Sequence, residues 1–301
     1  MTLEQLSIFV AVAERQHVTR AADAIGLTPS AVSASIKALE AFHNVQLFDR
    51  VGRGIALTET GRIFLKEAKA TLARANAAAL VLSELGGLKR GVLHMYASQT
   101  IASYWLPSRM VHFHDLYPDI KLSLTVGNTH TVARAIEEGQ AEIGFVEGDI
   151  DAPLLRSQKL ADDEIAIVVA PDHPLATARP EAFLSLIKRT YWVMREQGSG
   201  TRSTFEAAIS RLGLSPDRLK IALEFPSNEA VLSALVGHGY AGAVSRMAAQ
   251  PLIATGAICF ADVPFPPRDF MALSHRERAL SPAAREFLQL CQGSVRPEAS
   301  R

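Results

Sequence analysis

Hydrophobic residues recur at helical spacing in three successive segments at the start of the chain. The first segment has one regular hydrophobic face, made of Leu3, Leu6, Phe9, Val10 and Ala13. The second segment, VTRAADAIGL, is predicted to begin with Thr19 as its N-cap and to end at Gly26, where a left-handed residue is favoured. The third begins at Thr28-Pro29, because Pro fits the first helical position. Its buried side is predicted to be Val32, Ile36 and Leu39.

These segments predict a helix-turn-helix followed by a basic hairpin. The second helix of such a motif can enter the DNA major groove with its N-terminal residues at the base edges. QLFDRVGRGIALTETG then carries a Gly52/Gly54 turn between two short β-prone runs, as expected for a basic wing over the phosphate backbone. We expect DNA contacts from Thr28, Pro29, Ser30, Ser33, Ser35, Lys37, Arg50 and Arg53. A three-helix core with incidental surface serines is the alternative.

A long uninterrupted helix is predicted after Thr58, ending at Gly86-Gly87. Its hydrophobic positions alternate in steps of four and three, the spacing of a coiled-coil seam: Phe64, Ala68, Leu72, Ala75, Ala79 and Leu82. We expect that a small domain cannot bury this stripe, so that the helix pairs with its copy in a second subunit. Two helix-turn-helix domains paired in this way predict a roughly two-fold symmetric operator. Packing against the C-terminal part of the same chain is the alternative.

Strand-like runs alternate with amphipathic helical segments through the rest of the chain. The runs are Val92–Ala97, Lys121–Val126, Glu142–Val146, Ile165–Ala170, Tyr191–Met194 and Gly242–Val244. This alternation predicts an α/β fold with mainly parallel sheets. In such folds, ligands bind beyond the carboxyl ends of the strands, in the loops that lead into the following helices.

Polar loops lie at several of these strand ends. Helix N-termini expose backbone N–H groups, and hydroxyl and amide side chains add donors, so loops that meet in one cleft would form an anion site. Each loop alone is equally explained by ordinary N-capping. The candidate effector-binding residues are Ser98, Gln99, Thr100, Asn128, Thr129, Gly198, Ser199, Gly200, Thr201, Arg202 and Asn228.

Composition and charge restrict the class of protein without identifying it. A chain of 301 residues predicts two or three domains, and no stretch approaches the roughly 18 apolar residues of a membrane span. The N-terminus lacks a basic region and a small-residue cleavage site, so we expect no signal peptide and a cytoplasmic location. Net charge is zero, but residues 1–90 carry eleven Lys/Arg against eight Asp/Glu. This mild excess agrees with DNA binding only because a motif accompanies it.

Catalytic and metal-binding motifs are missing from the sequence. The stretch QGSGTRSTF lacks the GK[ST] ending of a nucleotide-binding loop, is not GxGxxG, and does not place Ser199 in a GxSxG elbow. Cys259 and Cys291 lack metal-ligand spacing and are expected to be buried thiols. We therefore expect no enzyme, no cofactor and no metal. A solute-binding protein remains the competing class, but it would have no reason to carry a DNA-reading module.

The N-terminal segment resembles the winged helix-turn-helix of LysR-type transcriptional regulators. The resemblance is carried by the AA..L..TPSAVS.SI..LE run, the LF.R turn and the LTE.G sequence before the long helix. Members often have Arg or Lys after the VS pair where this chain has Ala34, so base reading would depend on the serines and Lys37. YPDIKLSLTVGNT, AEIGFVEG and VVAPDHPLA resemble the family's effector-binding region, and REQGSGTR resembles members that control sulfur and carbon assimilation.

The resemblance implies a particular domain organisation. An N-terminal winged helix-turn-helix would be followed by a long linker helix for dimerisation and an effector-binding domain of two lobes, like periplasmic binding proteins. The implied boundaries are 1–58 for the first domain, 59–88 for the helix and 91–301 for the effector domain, with lobe I at about 91–162 and 267–301 and lobe II at about 163–266. The family also forms dimers, commonly assembled into tetramers.

The resemblance also implies a function. The chain would be a regulator that binds double-stranded DNA and senses a small anion, such as sulfite, sulfate or a phosphorylated metabolite, in the cleft between the lobes. An uncharged or aromatic effector is the alternative. Glu147 would face this cleft, where Arg202 could pair with it, contact the ligand or project to solvent. Effector binding would change the angle of the lobes, and thereby promoter bending or contact with RNA polymerase.

Overall fold

The computed structural model describes residues 1–51, 54–85, 91–148, 150–261, 263, 265 and 267–293. The chain forms two compact units, one made mainly of Met1–Leu88 and the other of most of the chain from Lys89 onward. No described helix is both long and apolar enough to cross a membrane.

The first unit contains helices and a two-stranded hairpin. Its elements are α1 (Leu3–Arg15), α2 (Val18–Ile25), α3 (Pro29–His43), β1 (Phe48–Val51), β2 (Gly54–Leu57) and α4 (Glu59–Leu85). Thr28 caps α3 as predicted, since its hydroxyl accepts from the Ala31 N–H at 3.2 Å. Gly26 ends α2 with a φ of 70°, which favours glycine. The expected cap at Thr19 is wrong, because α2 begins earlier and His17 caps it.

The helices of the first unit enclose one hydrophobic core, to which α4 contributes. Phe64 packs on Phe9 with ring centroids 4.8 Å apart, Ala68 is fully buried, and Leu72 packs against the same core. The expectation that this domain cannot bury the seam is therefore wrong for its first half. Phe9 and its neighbours on α1 provide the covering surface. The side chains of Ala79 and Leu82 lie outside the described part of the chain.

The hairpin is fixed to the helices on both sides. β1 and β2 are antiparallel, with Phe48 opposite Leu57. The Glu40 carboxylate of α3 accepts from the backbone N–H groups of Leu47 at 2.7 Å and Phe48 at 3.2 Å. Thr58, which caps α4 through the Gly61 N–H, also donates to the Gln46 carbonyl at 2.8 Å. The position of the wing is therefore set by hydrogen bonds from the Glu40 and Thr58 side chains to the backbone around Leu47.

The second unit contains two five-stranded sheets covered by helices. Its strands are β3 (Gly91–Ser98), β4 (Ile120–Gly127), β5 (Ile143–Glu147), β6 (Leu155–Asp163), β7 (Ile165–Val169), β8 (Tyr191–Arg195), β9 (Lys220–Phe225), β10 (Tyr240–Ser245), β11 (Cys259–Phe260) and β12 (Arg268–His275). Its helices are α5 (Leu106–Leu116), α6 (Thr129–Glu137), α7 (Pro180–Arg189), α8 (Gly200–Arg211), α9 (Asn228–Leu235), α10 (Arg246–Ala254) and α11 (Pro282–Gln292).

The two sheets define two lobes. The first lobe has the strand order β4-β3-β5-β12-β6, and the second lobe β11-β7-β10-β8-β9. The six predicted strands are present. The expectation of mainly parallel sheets is wrong: β12 runs antiparallel to β5 and β6, and β7 runs antiparallel to β10 and β11. The parallel pairs run from one edge of each sheet to its centre, β4-β3-β5 in the first lobe and β10-β8-β9 in the second.

Both faces of the central strands of each sheet are buried. In the second lobe, Ile167 and Trp192 pack with Phe205 of α8 on one face, while Val193 packs with Val231 of α9 on the other. In the first lobe, aromatic residues fill one face and the aliphatic side of α6 covers the other. This double burial explains the nearly continuous apolar runs of the central strands. The packed core of each lobe also supports the loops at its strand ends.

Candidate functional site

The first candidate surface lies on α3, the second helix of the helix-turn-helix. Ser30, Ala34 and Lys37 are exposed and follow one another at helical spacing. Ser33 is half-buried at the edge of this face. Ser35 is also half-buried, but it lies roughly 140° around the helix from Ser30 and so belongs to a different face. The exposed face offers one hydroxyl, one methyl group and one ammonium group to a groove.

In the helix-turn-helix and the hairpin, three cations are exposed and have no carboxylate partner among the described residues: Arg20, Lys37 and Arg50. Lys69 and Arg62, by contrast, pair with Glu14 and Glu59 at 2.9 Å. Unpaired surface cations are available to phosphates. Arg20 was not among the predicted contacts, although its position on α2 was visible in the sequence. Arg53 lies outside the described residues.

The predicted effector loops of the second unit meet where the two lobes face each other. The Gln99 side-chain oxygen accepts from the Asn228 side-chain amide at 2.7 Å and from the Asn228 backbone N–H at 3.0 Å. The same Asn228 amide donates to the Thr100 hydroxyl at 2.9 Å. Asn128 donates to the Gln197 carbonyl at 3.3 Å. Each contact joins a loop of the first lobe to a loop of the second.

A second group of predicted residues surrounds the first turn of α8. The Thr129 hydroxyl donates to the Glu147 carboxylate at 3.3 Å. Gly200 lies so close that a methyl group there would meet the Thr129 hydroxyl at 2.5 Å and the Glu147 carboxylate at 3.0 Å. Glycine is therefore required by this close approach. Gly198, with a φ of 85°, is required by its backbone conformation.

Uncommitted donors remain around this turn. Ser199 is the N-cap of α8, but its side chain accepts no hydrogen bond from the helix. The N–H groups in the first turn of α8 therefore need an acceptor from outside the helix. The Ser199 and Thr201 hydroxyls are buried, and Thr201 keeps its hydrogen because it only accepts from Arg268; the Thr129 hydroxyl is also buried but donates to Glu147. Ser98, at the end of β3, is 2 % exposed and its hydroxyl has no partner among the described residues. Orphaned buried hydroxyls are uncommon and often mark a binding site.

Arg202 neither pairs with Glu147 nor projects to solvent. It is 5 % exposed and pairs with Glu206 and Glu224, both at 2.7 Å. It also donates to the Arg195 carbonyl. Burial acts to lower the pKa of Arg202, but the bonds to the two carboxylates hold this pKa above its ordinary value. Arg202 is thus engaged within the second lobe, and an i,i+4 partner was visible in the sequence.

Arg195 is a cleft residue that the sequence reasoning missed. It ends β8, forms two hydrogen bonds to Glu196, at 2.8 and 3.1 Å, and donates to Gln99 across the cleft at 3.2 Å. Its position at the end of a predicted strand was the available signal. Because Arg195 is paired with Glu196, its charge is already neutralised before a ligand binds.

Glu229 is the second missed residue. It accepts from the Gln99 amide at 2.7 Å and from the Tyr104 hydroxyl at 2.8 Å. Burial acts to raise the pKa of Glu229, but the hydrogen bonds it accepts, from its own backbone and from Tyr104, hold this pKa below its ordinary value. Burial and donation to Glu229 raise the pKa of Tyr104. Glu229 therefore orients Gln99 as an ionised acceptor.

A buried ion pair lies where the chain crosses between the lobes. Asp163 ends β6 and Arg268 begins β12, and the Asp163 carboxylate contacts the Arg268 guanidinium at 2.6 and 2.7 Å. Ser245 donates to Asp163 at 2.7 Å, and Arg268 donates to the Thr201 hydroxyl at 3.0 Å. The pair therefore joins both crossing points to the first turn of α8. We call Asp163, Arg268, Ser245 and Thr201 the hinge network.

A winged helix-turn-helix together with a two-lobed domain, whose strand-end loops meet in a cleft, defines a ligand-responsive DNA-binding regulator. The chain belongs to the LysR family of bacterial transcriptional regulators. The model of the bacterial regulatory helix-turn-helix protein, lysR family, matches residues 3–62, and the model of the LysR substrate binding domain matches residues 86–296. Regulators of this family are not enzymes.

Relatives and solved structures agree with this assignment. The chain is 33% identical over 294 residues to the uncharacterized HTH-type transcriptional regulator YeiE of Escherichia coli (strain K12), covering 97% of each. It is 32% identical over 236 residues to the HTH-type transcriptional regulator CysL of Bacillus subtilis (strain 168), covering 78% of each. The crystal structure of full-length CbnR complexed with target DNA matches with a TM-score of 0.69 and 19% identity, over 97% of this chain and 99% of that one.

Proposed function

We propose that this regulator binds a two-fold symmetric operator in the cytoplasm as a dimer or tetramer, and that it senses a small oxyanion in the cleft between its lobes. The domain boundaries expected from the sequence are retained in this proposal, with the winged helix-turn-helix over 1–58, α4 as linker and the lobes meeting near 162 and 267. The observation that carries the effector proposal is the set of uncommitted donors around the first turn of α8.

Operator reading is assigned to the exposed face of α3. Ser30, Ser33 and Lys37 would reach base edges, with Thr28 and Pro29 fixing the start of the helix. Ser35 would act from the flank of the helix. Arg50 and Arg53 would contact phosphates from the wing, joined by Arg20. The exposed, unpaired state of Lys37 supports this assignment.

The DNA test separates base reading from phosphate contact. The double variant Ser33→Ala/Lys37→Ala should bind a specific operator at least tenfold more weakly, whereas Arg53→Ala should weaken binding to all sequences and flatten the salt dependence. Arg74→Ala, which removes an exposed cation of α4, is the control and should bind normally. Full operator affinity in the double variant would exclude the recognition-helix assignment.

Dimerisation is assigned to α4. Its 27 residues span about 40 Å, which is longer than the small core it joins. The first half of the seam packs on α1, so the partner helix would meet the later part and flanking residues such as Ile63, which is 61 % exposed. Effector binding would change the lobe angle, the setting of the paired heads and contact with RNA polymerase, provided that the effector binds the two arrangements with different affinity.

The proposed oxyanion is held by neutral donors. Each of the buried arginines at the cleft is already paired with a carboxylate: Arg195 with Glu196, Arg202 with Glu206 and Glu224, and Arg268 with Asp163. Recognition would therefore rest on the first-turn N–H groups of α8 and on hydroxyls from Ser98, Thr100, Thr129, Ser199 and Thr201. Gln99, Asn128, Gly198 and Asn228 would shape the cleft around them.

Glu147 adds a condition on the oxyanion. Its carboxylate lies beside Thr129 and the first turn of α8, so an anion bound there without a proton would be repelled. An oxyanion that carries a proton, such as hydrogensulfite, hydrogen phosphate or the monoanion of a phosphate monoester, would instead donate a hydrogen bond to Glu147. The proposed effector class is therefore a protonated oxyanion, which sulfate is not.

Titration calorimetry on the full-length protein tests this effector class. Sulfite and inorganic phosphate should give saturable heats, while sulfate should bind at least a hundredfold more weakly. Ser199→Ala/Thr201→Ala should weaken sulfite binding about tenfold or more. If the anions give no heat while an uncharged or aromatic compound binds tightly, the oxyanion proposal is wrong and the alternative effector class holds.

A further inference from the structure

A second cavity opens along one side of α8. Its volume is about 410 Å³, and it lies between α8, the end of β5 and the start of β12. Cavities of this size bind small metabolites. Apart from Glu147, none of its lining residues belongs to the proposed oxyanion site. The cavity therefore offers a second, chemically different environment.

Charged groups of both signs line this cavity. Arg211, in the last turn of α8, is exposed and has no carboxylate partner among the described residues. Glu147 is 3 % exposed, and the Thr129 hydroxyl at 3.3 Å is its described hydrogen-bond partner. Asp269 pairs with Lys159 at 2.7 Å, with its side chain 38 % exposed. One unpaired guanidinium and one buried carboxylate with a single described hydrogen bond thus line the same cavity.

The unmet hydrogen-bonding capacity of Glu147 points to a donor ligand. A carboxylate can accept about four hydrogen bonds, and buried carboxylates are ordinarily satisfied. The neighbouring Thr204 hydroxyl donates to the Gly200 carbonyl at 2.8 Å, so it offers an acceptor rather than a donor. Arg268, which also lines the cavity, is held by Asp163 and Thr201. The cavity wall therefore lacks a group that completes Glu147.

We propose that this cavity binds a second small ligand, a zwitterion with an ammonium group and a carboxylate, as in a free α-amino acid. The ammonium group donates to Glu147, and the ligand carboxylate forms an ion pair with Arg211. An anion alone would meet the unneutralised Glu147 carboxylate, since Asp269 is paired with Lys159, and a cation alone would leave Arg211 unpaired. Only a ligand with both charges matches the lining on both sides.

The shared carboxylate couples this cavity to the cleft. Glu147 contacts Thr129 beside the first turn of α8 and also lines the cavity. An ammonium group next to Glu147 reduces the repulsion between this carboxylate and an oxyanion in the cleft, so each ligand should tighten the binding of the other severalfold. This coupling depends on the proposed oxyanion site. Binding of the zwitterion in the cavity does not depend on it.

Calorimetry and thermal shift on the full-length protein without added oxyanion test the site. The probes are the free protein amino acids, with ethanolamine and glycolate as ligands that carry one charge each. At least one amino acid should bind saturably, and ethanolamine and glycolate should not. Arg211→Gln should weaken this binding about tenfold or more. Arg189→Gln, an exposed arginine in the last turn of α7, is the matched control and should leave binding unchanged.

A second variant tests the cavity itself. Ala207 lines it and is exposed, so Ala207→Phe fills its volume without entering the core, and binding should be lost. Ser210→Phe adds the same ring at an exposed position of α8 outside the lining, and binding should persist. The proposal is overturned if no amino acid binds, or if binding is the same in Arg211→Gln and Ala207→Phe as in the unaltered protein. If an amino acid binds at this cavity but no oxyanion binds to the protein, this inference stands and the proposed function is wrong.

Discussion

Replacement of Glu147 by Gln should invert the preference of the cleft among oxyanions. Glu147 Oε2 lies 3.3 Å from the Thr129 hydroxyl and 3.0 Å from the position of a methyl group on Gly200, so an oxyanion at the first turn of α8 lies roughly 4 Å from this carboxylate. Two unit charges at that distance repel by about 4 kcal/mol at an effective dielectric constant of about 20. This energy corresponds to roughly a thousandfold in affinity.

Glu147→Gln removes this repulsion and adds an amide donor at the same place. Sulfate binding should therefore tighten by about a hundredfold or more. Sulfite should change by less than about tenfold, because the amide oxygen can still accept its proton. Calorimetry with sodium sulfate and sodium sulfite on both proteins gives the four affinities. Their ratio is insensitive to a general loss of folded protein.

The control is Glu164→Gln, which neutralises an exposed carboxylate paired with Arg246. It should leave both affinities unchanged, since surface ion pairs contribute little. Equal sulfate affinity in Glu147→Gln and in the unaltered protein would refute the reasoning. So would tighter binding of sulfate than of sulfite before any substitution.

Three further substitutions or measurements follow from the packing. Asp163→Asn leaves the buried Arg268 charge without its partner and should cost about 3–5 kcal/mol in urea unfolding of the effector domain, against no change for the exposed Asp172→Asn. Gly61→Ala places a methyl group on the Leu47 carbonyl, so it should destabilise the first unit by about 1–3 kcal/mol and weaken DNA binding; normal stability by circular dichroism would contradict this. Burial raises the pKa of the Cys291 thiol to about 12, so a thiol reagent at pH 8 should modify it only after unfolding.

The part of the fold that could be predicted from the sequence is the part buried on both faces. Strands such as β7 and β8 lie at or next to the centre of their sheet and read as unbroken apolar runs. β6 and β9 were missed because they are edge strands with mostly exposed side chains. β12 was missed because its apolar run is only four residues long, Phe270 to Leu273. The antiparallel pairs of the first sheet involve the missed strand β12, whereas β7 and β10 of the second sheet were both predicted and only their relative direction was not.

The candidate site, like the fold, could be predicted from the sequence only in part. Loops at predicted strand ends could be found, because parallel central strands bring their carboxyl ends to one edge. Their partners could not, since Gln99 and Asn228 are 129 residues apart and Asp163 and Arg268 are 105 apart, and only the crossing of the chain between the lobes joins them. Arg202 shows the opposite case, because Glu206 one turn later already indicated an internal partner.

The way the cleft arginines are paired bears on how a sensor can release its ligand. A free guanidinium would hold an oxyanion by direct ionic contact, whereas hydroxyls and helix N–H groups hold it by several weaker bonds that distinguish its geometry and protonation. The arginines instead fix the protein to itself, and Arg268 ties Thr201 to both crossing points between the lobes. The Thr201 hydroxyl accepts from Arg268 and keeps its own hydrogen, so a ligand that accepts this hydrogen is joined to the hinge network through Thr201. Binding in the cleft and the setting of the hinge are thereby linked through one shared hydroxyl, which is the differential contact that a change of lobe angle requires.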